Sequence, residues 1–78
     1  MTPEIESLFS RLMTTNKQVD EALTRVYSVA QEIDKHDGKI MAYLRQKYAL
    51  PQSLAALSNS IGDNVEAILA LFKALEGT

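Results

Sequence analysis

Six apolar residues stand seven apart along the N-terminal half of the chain: Ile5, Leu12, Val19, Val26, Ile33 and Ile40. That beat is the signature of an α-helix with one narrow face buried along its length, and no strand, whose side chains alternate with period two, produces it. A second series four residues on reads Phe9, Asn16, Leu23, Ala30, Asp37 and Leu44, broken at Asn16 and Asp37. Together the two series give alternating spacings of four and three, as a coiled-coil seam requires. The expected fold is all-α. The expected oligomer seam is Ile5, Phe9, Leu12, Val19, Leu23, Val26, Ile33, Ile40 and Leu44.

Local signals place the ends of the helices. Thr2 suits the cap, Pro3 the first helical position, and Glu4 and Glu6 the positive end of the helix dipole. Lys17, Glu21 and Arg25 follow at four-residue spacing and mark a solvated outer face. Asp37-Gly38 is a turn signal, but Ile33 and Ile40 keep phase across it. The reading is one helix over residues 3–48 with a kink at Gly38. Pro51 forces the real break, because proline disfavours helical geometry in the residue before it. A second helix over residues 53–76 follows, with Ser53 as its cap, a weak middle around Gly62, and Gly77 at its end.

Lengths then matter. At about 1.5 Å per residue the first helix would reach nearly 70 Å and the second about 35 Å. A shorter helix returning as a hairpin leaves much of the first stripe wet, which argues for a helical bundle or coiled-coil oligomer. The alternative is a compact three-helix unit broken at Gly38 and Pro51. Either way the 78 residues make a single helical domain.

Little in the chain suggests catalysis. There is no cysteine and one histidine, His36, so a metal centre lacks its three or four ligands even with Glu32 a turn away. The carboxylate pairs Glu4/Glu6, Asp20/Glu21 and Glu32/Asp34 lie on charged faces where ordinary solvation is expected. Three isolated glycines make no phosphate cradle. No enzyme activity, cofactor or metal is expected. The acidic start Met1–Glu6 and the lack of a long apolar run make the cytoplasm the default compartment, with no membrane partner.

Partners are expected to be other helices: a second copy of the chain, and another protein. Met41, Tyr43 and Tyr48 form the expected partner surface, since methionine and tyrosine adapt well to interfaces. The alternative is a small nucleic-acid-binding regulator. Its patch would be Lys35, Lys39, Arg45 and Lys47 beside the two tyrosines, although a net charge of −2 gives no global attraction to phosphates. A second route to the same function lies at residues 54–75. Leu57, Ser58, Ile61, Gly62, Ile68 and Leu71 fall near the apolar, small and glycine positions of a helix-turn-helix, which this stretch resembles in degenerate form. Asp63 stands where that motif is apolar and Val65 where it is polar, and no basic residue follows until Lys73. The expectation is a non-enzymatic oligomerisation, adaptor or small structural protein acting through helix packing.

Overall fold

The computed structural model describes residues 1–35 and 41–77, and these are all-α, with no strand among them. Helix α1 spans Pro3–Asp34, α2 spans Met41–Lys47 and α3 spans Leu50–Glu76. The two long helices pack side by side as an antiparallel hairpin, and α2 contacts both. The molecule is a rod, 57 × 14 × 14 Å between Cα atoms.

The start of α1 follows the sequence signals. Thr2 is extended and its hydroxyl accepts from the Ile5 amide at 3.3 Å, with Pro3 entering the helix behind it. Its end does not. The helix stops at Asp34, where the Lys35 amide donates back to the Gln31 carbonyl, instead of running on to residue 48. The Asp37-Gly38 turn signal, and with it the expected kink, falls on residues outside the described ones. Ile40 lies outside them as well.

The other boundary also moves. Helix α3 begins at Leu50, not at residue 53, with Pro51 in its first turn. Ser53 is therefore no cap. It is buried, and the cap is Ala49, held in the left-handed region at φ 55 and ψ 43 with no side-chain hydrogen bond. Reversing the chain at Ala49 lets Pro51 take a first-turn position, where its missing N–H breaks no helical hydrogen bond. From there α3 runs unbroken through Gly62 to Glu76, with Gly77 as its C-terminal cap. Gly62 is exposed with no heavy atom near the position of a Cβ, and the helix runs on through it.

At about 1.5 Å per residue the two helices are nearly 50 Å and about 40 Å long, so the returning helix covers most of the first. Burial locates the facing stripes. On α1 they are Ile5, Leu12, Val19, Val26 and Ile33, with Leu8, Thr15, Ala22 and Val29 three residues after the first four. On α3 they are Leu50, Ser53, Leu57, Ser60, Asn64, Ala67, Leu71 and Ala74. The Asn64 amide donates to the Thr15 hydroxyl at 3.0 Å and to the Asn16 carbonyl at 2.6 Å, which fixes the register. Each step forward on α1 is then a step back on α3. Ile5 lies level with Ala74, Leu12 with Ala67, Val19 with Ser60 and Val26 with Ser53. Ala22 lies level with Leu57. At these levels a large side chain on one helix faces a small one on the other, which lets the helices approach closely, while Leu8 meets Leu71 and Val29 meets Leu50.

Candidate functional site

The small inner residues of α3 have a consequence for the rest of that helix. Apart from Leu50, Leu57 and Leu71, its large side chains point elsewhere: Leu54, Ile61, Val65, Ile68, Leu69, Phe72 and Leu75 are each between 46% and 60% exposed. Six of them, all but Leu69, follow a four–three rhythm, with Ser58 in the open position. They form a second stripe about a quarter-turn or more from the hairpin contact.

The opposite helix completes this surface. In an antiparallel helix pair, residues just after the first facing series lie on the same flank on both helices. On α1 those positions hold Phe9, Met13, Leu23 and Tyr27; Phe9 is half-buried and the other three are well exposed. Asn16 and Asp20 interrupt them at mid-length. The other flank is polar, with Arg11, Gln18, Glu21 and Arg25 on α1 and Asn59, Asp63, Glu66 and Lys73 on α3, all exposed. The hairpin as a unit is amphipathic.

This changes the meaning of the sequence stripe. Ile5 and Ile33 are fully buried within one chain, and Leu12, Val19 and Val26 are half-buried in the same contact. Leu23 faces out at 53% exposure, one residue from Ala22 at 7%. The inner partner series therefore lies three residues on, not four. Its sequence signal was the absence of any charge from Leu8, Thr15, Ala22 and Val29, against the larger but interrupted Phe9 series. The exposed face of α3 was legible as apolar residues, but not as an outward face.

The other singled-out residues are dispersed. Tyr43, Arg45 and Lys47 on α2 are exposed, and Tyr48 is half-buried with the Lys47 ammonium 5.5 Å from its ring centre. Lys35 is bound to Glu32 by an exposed 3.0 Å ion pair, so Glu32 points to Lys35. Lys39 lies outside the described residues, as do His36 and the side chains of Met41 and Leu44. The helix-turn-helix resemblance fails on geometry, because α3 has no turn between residues 54 and 75.

No group of three or more metal-ligating side chains converges among the described residues. A depression of about 310 Å³ on the outside of α1 is lined by Lys17, Asp20, Glu21 and Thr24, all exposed. No described helix is long and apolar enough to cross a membrane. The chain thus belongs to the broad class of amphipathic helical hairpins. Comparison with protein families, curated proteins and solved structures finds no match to this chain.

Proposed function

We propose that the chain is a cytoplasmic, non-enzymatic helix-packing protein that self-associates and serves as an adaptor or small structural element. The observation that carries this reading is the imbalance of its apolar surface. Among the described residues five apolar side chains are buried while twelve large hydrophobic ones are exposed, most of them on one flank. A two-helix hairpin of this size has a thin core, and association is the usual way such a chain removes further apolar area from water.

Since the Ile5–Ile33 stripe is occupied within the hairpin, self-association falls to the exposed flank. Tyr43 on α2 lies at the loop end and remains free to meet another protein. Sedimentation equilibrium of the full chain at low micromolar concentration tests the proposal. An oligomer is expected, and a monomer at every concentration refutes it.

A second reading, a nucleic-acid-binding regulator, draws on Arg45 and Lys47 standing exposed beside Tyr43 on one short helix. Titration against mixed DNA and RNA at two salt concentrations decides between them. Tight binding that falls steeply with salt and is lost on charge reversal of Lys35, Lys39, Arg45 and Lys47 would favour this second reading. The helix-packing proposal expects no such binding, and expects the reversed variant to keep its native mass.

A further inference from the structure

We infer that the occupant of the apolar flank is a second copy of this chain, docked with α3 antiparallel to its own copy about a twofold axis at Ile68. The inference rests on the helix-packing reading above and assigns it a face, a partner and a register.

The exposed stripe of α3 matches itself on reversal. With Ile68 beside Ile68 of the other copy, Ile61 lies level with Leu75, and Val65 comes within one residue of the level of Phe72. Every large apolar residue of the stripe from Ile61 onward then has an apolar counterpart. Moving the axis half a heptad toward Leu54 sets Phe72 against Ser58 and loses that match. An isologous contact of this kind closes on itself and stops at two copies.

Helix α1 independently selects the same axis. The Asn64–Thr15 register places Ile68 level with Arg11, midway between Phe9 and Met13. The twofold that pairs the α3 stripes therefore lays Phe9 of one copy over Met13 of the other. Asn16, level with Asp63, falls inside the contact opposite Glu6 of the other copy, while Asp20 falls beyond Ile61 at its edge, where polar groups stay hydrated. The outcome is a four-helix bundle at the terminal end of the rod. Leu23, Tyr27 and Leu54, at the loop end, stay outside it.

The area is sufficient. Covering the exposed halves of these side chains on both copies removes on the order of 1,000 Å², the threshold for a specific interface. The stripe holds no charged residue between Ile61 and Leu75, so nothing there must be desolvated at high cost.

The experiment uses the native absence of cysteine. Ile68→Cys and, as control, Leu23→Cys are each treated with a short bifunctional maleimide at a concentration where the parent sediments as a dimer. Rapid covalent dimer from Ile68→Cys and little from Leu23→Cys is expected. In parallel, Ile68→Asp should weaken the dimer about a hundredfold or more, since it places unpaired charges at the axis, while Leu23→Asp leaves it within a few-fold. Circular dichroism must show parental helicity in both variants; Ile68 is half-exposed in the hairpin, so its own fold does not depend on it. If the parent is a dimer but Ile68→Cys does not cross-link and Ile68→Asp does not dissociate, this register is wrong while the helix-packing reading survives. If the parent is a monomer that floats with phospholipid vesicles, the flank is a lipid surface and the inference fails. A monomer that binds neither itself nor vesicles overturns both.

Discussion

Two adjacent residues of α1 separate the packing described above from the one its sequence suggests. Ala22 is 7% exposed and lies level with Leu57 on α3, whereas Leu23 is 53% exposed on the flank. Exchanging alanine and leucine at these sites leaves helix propensity almost unchanged, so the outcome reports packing. Ala22→Leu forces a branched side chain against Leu57 and should destabilise the hairpin by about 1–3 kcal/mol, as overpacking usually does. For a domain of this size that lowers Tm by roughly 4–8 °C per kcal/mol. Leu23→Ala removes a side chain already half in water, so its loss is about half the full-burial value, near 1 kcal/mol or less. Thermal and urea unfolding at one fixed protein concentration measure both, the concentration being held because association shifts Tm. Had the inner series been Phe9, Asn16, Leu23 and Ala30, the order would reverse, with Leu23→Ala costing about 2–5 kcal/mol. Leu23→Ala proving the more damaging change refutes the register.

Three further outcomes follow from backbone and cap geometry. Gly62→Ala should stabilise α3 by about 1 kcal/mol, because a methyl there meets nothing within 4 Å and glycine costs a helix that much; an unchanged urea midpoint would contradict it. Ala49→Gly should stabilise the chain by up to about 1 kcal/mol by relieving the left-handed conformation at φ 55, and a clear loss of stability would show that the methyl matters more than the strain. Thr2→Ala removes the cap on the Ile5 amide and should cost about 1 kcal/mol, with hydrogen exchange accelerating in the first turn of α1 and not in α3.

The sequence carried the class of fold by itself, because helical period is a local property. The seven-residue series from Ile5, the cap at Thr2 with Pro3 and the helix end at Gly77 were all legible without tertiary information. Helix ends governed by competing local terms were not. The preserved phase of Ile33 and Ile40 pointed to a helix running on, whereas α1 ended at Asp34. At Pro51 the break was real, but Ala49 took the left-handed position and moved the start of α3 to Leu50. An alanine at positive φ has no sequence signature.

What only the tertiary structure decided was direction. A pattern of apolar residues states that a helix has faces to bury, not which of two neighbouring faces its partner takes. On α1 the inner face is the one with Thr15 and Ala22, although Phe9 and Leu23 are the stronger hydrophobes. On α3 the inner face carries serine, asparagine and alanine among Leu50, Leu57 and Leu71, and Ile61, Val65, Ile68 and Phe72 turn outward. The physical reason is close packing between two helices. Broad side chains on α1 fill the interface best against small ones on α3, and the Asn64 amide locks that register through Thr15 and Asn16. The larger residues of α3 are displaced to the flank by that fit, a result that depends on both helices at once and is written in neither alone.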